Sequence, residues 1–165
     1  MKQPAIFFDR DNTIIVSDGY LGDPDKVQLI YGVADAIARA RSLGFVIVTI
    51  SNQSGVARGL FTEEAVMAVD EKMDRLLQAE NPRAKIDLHE FCPFHPEAVV
   101  EKYRKDSELR KPLPGMILKA AEALDLDLSA SWVIGDAARD IEAGHAAGCR
   151  TILINDPSLP ASPAA

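Results

Sequence analysis

The chain is short of cysteine, with only two, and has one tryptophan in 165 residues. Cys92 and Cys149 are too few for a disulfide scaffold and read as free thiols, which fits a cytoplasmic setting. No apolar run approaches membrane-spanning length; the longest, Gly44 to Ile50, is a strand-sized segment. The first residues, Met1-Lys2-Gln3-Pro4, reach an aspartate by position 9 and lack the apolar stretch and cleavage site of a secretory signal. Basic charge is also scarce: 18 Lys and Arg stand against 25 Asp and Glu, a net charge of −7. A nonspecific nucleic-acid binder carries the opposite sign, so nucleic acid is a disfavoured partner and no membrane partner is expected. What the chain does have is an ordinary globular balance, 47% hydrophobic and 26% charged, enough for one sizeable core.

Strand-like and helix-like segments alternate. Ala5 to Phe8 is a short apolar run, and Phe45 to Ile50 is β-branched and apolar throughout, as in a strand buried on both faces. Further strands are expected at Ile86 to Phe91, Ser131 to Ile134 and Arg150 to Ile154. Helical spacing runs from Val33 to Leu43 before Gly44. A second helix follows the candidate cap Thr62, with Glu63 and Glu64 in its first turn, and ends near Glu80. Two more are expected, from Pro114 to about Leu124 and from Asp140 to Ala147. The pattern predicts an α/β fold, a Rossmann-like parallel sheet sandwiched by helices, in one domain over residues 1–155 with a flexible tail over 156–165. Trp132, Met67, Met73 and Met116 read as core, and His89 and His145 as structural or surface residues. No repeat is evident, and a monomer is the working expectation.

Parallel sheets bind ligands at the carboxyl ends of their strands. Asp9, Ser51 and Asp136 each directly follow a predicted strand and should converge on one sheet edge. Asp11 lies two residues beyond Asp9, and Asp140 one helical turn beyond Asp136. Clustered carboxylates need a cation, and an oxygen-only ligand set favours Mg²⁺. In such a cluster one aspartate can attack phosphorus while a second acts as general acid and then general base. Ser51 can donate to a phosphoryl oxygen and Lys111 can neutralise the charge of the transferring group. Arg58 and Arg110, near the same loops, suit an anionic substrate, since Arg grips phosphate with two hydrogen bonds.

Four segments carry a family resemblance: Asp9-Arg10-Asp11-Asn12-Thr13; Ser51 after its β-branched strand; Arg110-Lys111-Pro112-Leu113-Pro114-Gly115-Met116; and Gly135-Asp136-Ala137-Ala138-Arg139-Asp140. In order and spacing they resemble the haloacid dehalogenase superfamily of phosphohydrolases, in a form without a large cap domain. The run Ser51-Asn52-Gln53-Ser54-Gly55-Val56-Ala57-Arg58-Gly59 with Cys92-Pro93 narrows the resemblance to the D-glycero-D-manno-heptose 1,7-bisphosphate phosphatases. The resemblance implies a Mg²⁺-dependent phosphomonoesterase that removes the 7-phosphate through an aspartyl-phosphate. Asp9 would be the nucleophile and Asp11 the acid/base. Mg²⁺ would be held by the Asp9 carboxylate, the Asp11 backbone carbonyl and Asp136, with Asp140 in support. Ser51, Asn52 and Lys111 would bind the phosphoryl group, and Arg110 and Arg58 the rest of the substrate. Phosphatases of histidinol phosphate, of other sugar phosphates or of nucleic-acid ends are the enzymatic alternatives. A catalytically retired binding protein is the remaining one, although Asp9, Asp11 and Lys111 are all retained.

The chain departs from that family in three places. The family's zinc loop has Cys-x-His and Cys-x-Cys, whereas the corresponding positions here are Cys92, Phe94, Ser107 and Leu109, so no zinc is predicted. The loop from Cys92 to Leu113 must be ordered in some other way, with Phe91, Phe94, Tyr103 and its prolines as candidates. Asn12 stands where the family has Gly, which predicts a positive φ that Asn tolerates. Ala137 stands where the family often has Lys.

Overall fold

The computed structural model describes residues 1–160. Five parallel strands form one sheet in the order β3-β2-β1-β4-β5: β1 Ala5–Phe8, β2 Val46–Asn52, β3 Leu88–Cys92, β4 Trp132–Gly135 and β5 Arg150–Leu153. The helices are α1 Val33–Ser42, α2 Ser54–Ala57, α3 Glu63–Glu80, α4 Gly115–Leu124 and α5 Ala138–Ala146. This is the expected parallel α/β sandwich. The alternation of β1 shows why both faces are covered. Phe8 turns toward a cluster with Ile37 of α1 and Val69, Met73 and Leu77 of α3. Ala5 and Phe7 turn toward the opposite cluster, with Met116, Ile117 and Ala120 of α4 and Ala143 of α5.

Local chemistry sets the element ends. Thr62 is extended and its hydroxyl accepts from the Ala65 N–H at 3.2 Å, a cap worth about 1 kcal/mol. Gly44, at φ +92, supplies the left-handed step between α1 and β2. β2 runs past Ile50 to Asn52 because Ser51 and Asn52 continue the ladder with Phe91 and Cys92. Pro114 lies just outside α4 rather than in its first turn.

Two core assignments need correction. Met67 is 52% exposed, because the buried stripe of α3 is Val66, Val69, Asp70, Met73 and Leu77, and Met67 lies off it. Trp132 is only half-buried, with the Arg150 guanidinium over its ring, 5.4 Å from the centroid. Met73 and Met116 are fully buried, and Cys92 and Cys149 are buried free thiols. His89 pairs with Asp74, and His145 meets Thr151.

The expected tail begins at Asp156. Residues 156–160 form a turn in which the Asp156 carboxylate accepts from the Ser158 N–H at 2.9 Å. The remainder, 161–165, lies outside the described residues. The loop from Cys92 to Leu113 is held by several contacts. Phe94 and Tyr103 pack with ring centroids 6.1 Å apart, and Lys105 lies over the Phe94 ring. The Tyr103 hydroxyl donates to Glu63 at 2.8 Å, and Arg104 Nε donates to the Ala98 carbonyl at 2.8 Å.

Candidate active site

The strand order reverses between β1 and β4, so the crevice for a ligand opens at their carboxyl ends. Asp9 leaves β1 there and Asp136 leaves β4; the Asp9 N–H donates to the Ile134 carbonyl at 2.9 Å and ties the two ends together. Carboxylate oxygens of Asp9, Asp136 and Asp140 lie within 4.8 Å of one another. Lys111, 1% exposed, reaches this cluster from the loop before α4. Its ammonium donates to Asp9 Oδ1 at 2.8 Å, Asp140 Oδ1 at 2.6 Å and the Ile50 carbonyl at 2.9 Å, which uses all three of its protons.

The electrostatics follow from burial. Burial pushes the Asp9 carboxyl well above the ordinary range; Asp140 adds repulsion and Lys111 opposes both. Burial also works against the Lys111 charge, but Asp9 and Asp140 outweigh it and hold the ammonium above its usual value. Three close carboxylates with a single lysine leave excess negative charge in a dry site. The donors are all oxygen, so the residues present fit a hard divalent cation of the Mg²⁺ kind. Asp140 spends Oδ1 on Lys111 and Oδ2 on the Ala137 N–H at 3.1 Å. Both of its carboxylate oxygens are thereby engaged, and Asp140 orients the lysine.

Asp11 is held beside this cluster. Its carboxylate accepts from Arg10 Nε at 3.3 Å and from Gln53 Nε2 at 2.9 Å, and Gln53 Nε2 also meets Ser51 Oγ at 2.5 Å. The carboxamide of Asn52, a residue expected to bind the phosphoryl group, holds the backbone of Lys111. Oδ1 accepts from the Lys111 N–H at 2.9 Å and Nδ2 donates to the Lys111 carbonyl at 3.0 Å, which fixes the lysine's backbone. Asn12 has the expected positive φ, +60. Its side chain adds what glycine could not: bonds to both the N–H and the carbonyl of Ser17 at 2.8 Å, and one to the Pro160 carbonyl at 3.0 Å. A cavity of about 340 Å³ opens there, walled by Asn12, Asp136 and the 154–160 segment.

The loop arginines sit on the other side. The Arg58 guanidinium lies 5.5 Å from the centroid of the Tyr20 ring, and Arg110 Nε is buried without a hydrogen-bond partner among the described residues. Both press on His95, whose ring is held below its ordinary value first by burial and then by the charges of Arg110 and Arg58. Phe61 explains the glycines nearby. A Cβ on Gly22 would lie 2.6 Å from its ring, and one on Gly55 would clash with the same ring, so Phe61 wedges the 12–31 loop against α2. Sequence reasoning missed Arg10, Gln53, Asp70 and His95. Only the neighbouring motif residues Arg10 and Gln53 carried any signal.

Comparison with known proteins decides the family. A family model described as HAD-hydrolase-like matches residues 108–157. The D-glycero-β-D-manno-heptose-1,7-bisphosphate 7-phosphatase of Yersinia pestis is 43% identical over 151 residues, covering 92% of this chain and 79% of the relative. That of Escherichia coli K12 is 40% identical over 162 residues, covering 98% and 84%. The chain belongs to this heptose-bisphosphate phosphatase family of the haloacid dehalogenase superfamily. It is a phosphatase. Among solved structures, a HAD-like phosphatase from Mesorhizobium loti superposes with a TM-score of 0.87 at 36% identity, covering 96% of this chain and 78% of that one. The D,D-heptose 1,7-bisphosphate phosphatase of B. bronchiseptica, in complex with magnesium and phosphate, gives 0.77 at 34% identity, covering 93% and 80%. Among the described residues no helix is long and apolar enough to cross a membrane.

Proposed function

We propose that this phosphatase removes the 7-phosphate of D-glycero-β-D-manno-heptose 1,7-bisphosphate through an aspartyl-phosphate on Asp9. Asp9 attacks phosphorus, and Asp11 gives its proton to the sugar oxygen as the P–O bond breaks. Asp11 then takes a proton from water, which attacks the aspartyl-phosphate and releases inorganic phosphate with Asp9 restored. Lys111 and the Ser51 hydroxyl hold charge on the transferring group. Asp9, Asp136 and the Asp11 carbonyl would hold a Mg²⁺ ion, which would screen the nucleophile from the charge of the phosphate.

The observation that carries the bisphosphate reading is the pair Arg58 and Arg110. Neither guanidinium forms an ion pair among the described residues, and both lie close enough to His95 to depress it. Two arginines without acids, both near His95 in the loops around the site, suit a substrate with a second phosphate. The 40–43% identity to phosphatases of that substrate agrees.

The test is Mg²⁺-dependent phosphate release from both anomers of heptose 1,7-bisphosphate, fructose 1,6-bisphosphate, histidinol phosphate and a 3′-phosphorylated oligonucleotide. The β-anomer should be hydrolysed in preference to all others, and Asp9→Asn should abolish the release. Faster hydrolysis of any other substrate overturns the assignment while leaving the aspartyl chemistry intact.

A further inference from the structure

The buried stripe of α3 contains an anomaly. Val66, Val69, Met73 and Leu77 are fully buried apolar residues, and in the same stripe stands Asp70, 7% exposed. Its hydrogen-bond partner is Arg10, whose Nη1 donates to Asp70 Oδ1 at 3.0 Å. Arg10 is itself 1% exposed and has its Nε 3.3 Å from Asp11 Oδ1. A buried ion pair adds little stability over an apolar pair of similar volume, so the core does not need this one. What it does is fix a guanidinium. With Nη1 anchored on α3, the Nε edge of Arg10 faces Asp11 in one orientation. Gln53 clamps the other oxygen of Asp11 at 2.9 Å.

We propose that Asp70 is a positioning residue for proton transfer: acting through Arg10, it sets the carboxyl of Asp11 where it meets the leaving oxygen. The proposal rests on the reading of Asp11 as acid/base. It concerns only the step in which the Asp11 proton moves to the sugar oxygen as the bond from phosphorus to that oxygen breaks and the bond from phosphorus to Asp9 forms. Without the Asp70 anchor, Arg10 rotates toward Asp11 alone and the carboxyl loses its fixed placement.

The leaving group separates this role from a merely structural one. A sugar alkoxide needs the proton, whereas p-nitrophenolate departs without it. Single-turnover phosphoryl transfer is measured from the β-heptose bisphosphate and from p-nitrophenyl phosphate, with Asp70→Asn, Asp70→Leu, Asp11→Asn and Asp74→Asn. Asp70→Leu completes the apolar stripe and serves if the asparagine variant folds poorly. Transfer from the sugar ester should slow about tenfold in both Asp70 variants, and transfer from the aryl ester by less than about twofold. Substrate saturation should be unchanged, and Asp74→Asn should behave as the parent. Equal slowing of both esters, or of neither, overturns the proposal. If Asp11→Asn itself lacks the leaving-group difference, the acid/base reading of Asp11 fails instead.

Discussion

Gly135 leaves vacant the volume that the Asp140 carboxylate fills: a Cβ on Gly135 would overlap Asp140 Cγ and Oδ2. The backbone at Gly135 is not in the left-handed region, so only this contact opposes a side chain. Gly135→Ala should therefore push Asp140 off Lys111. We expect a loss of turnover of about ten- to a hundredfold, since displacements near 1 Å cost that much at a reacting centre. Gly44→Ala is the control. It strains a left-handed φ of +92 but meets nothing within 4 Å, so its melting temperature should fall with turnover retained. Retained turnover in Gly135→Ala would show that the Asp140 to Lys111 bond is dispensable.

The acid cluster predicts opposite effects on stability and activity. Burial raises the Asp9 carboxyl, so at neutral pH its charge is worse accommodated in the folded chain than in the unfolded one. Asp9→Asn should abolish turnover and raise the melting temperature in EDTA.

Mg²⁺ should in turn stabilise the parent enzyme, by about 2.7 kcal/mol at a hundredfold excess over its dissociation constant. Asp136→Asn should remove most of that response. Calorimetry with and without Mg²⁺ measures both, and an Mg²⁺-independent melting temperature in the parent would refute the metal assignment.

The strand ends were legible because their signals are local. An apolar run followed by an acid marks β1 and Asp9, and Thr62-Glu63-Glu64 marks the start of α3. The four-residue helix Ser54–Ala57 was not legible: it holds a glycine and is too short for a 3.6-residue period to register. The partner of Arg10 was hidden for a different reason. Asp70 is 60 residues away, and an acid within a helix reads as a solvated face until the sheet packs on it. Asn12 was half legible. Its positive φ follows from the glycine position, but the bond from its amide to Pro160 depends on how the chain returns from β5.

Asn12→Gly should relax a left-handed residue and lose three hydrogen bonds at once. The two at Ser17 are buried, and each is worth about 1 kcal/mol, more than the relief of φ supplies. The expected result is a modest fall in melting temperature, with faster amide exchange at Ser17, whose N–H loses its acceptor. Unchanged exchange at Ser17 would mean that the loop holds its shape without the carboxamide.

His89 should give the stability curve a sign that can be checked. Nε2 lies 2.9 Å from Asp74 Oδ2 and Nδ1 lies 2.7 Å from Thr49 Oγ1, with Asp70 and Arg10 as the other facing charges. Burial and Arg10 oppose the imidazolium, but Asp74 and Asp70 outweigh them and raise it above its ordinary value of 6.5. A raised folded value means that the ion pair contributes fully below the unfolded value and is lost as pH climbs through the folded one. The melting-temperature gap between the parent and His89→Gln should therefore be wide below the ordinary value of 6.5 and narrow as the pH climbs above it through the raised folded value. Asp74→Asn should flatten the dependence, because it removes the carboxylate that holds the proton. A gap that stays constant across that range would mean that His89 is neutral in the folded enzyme and acts only as a hydrogen-bond link from Thr49 to Asp74.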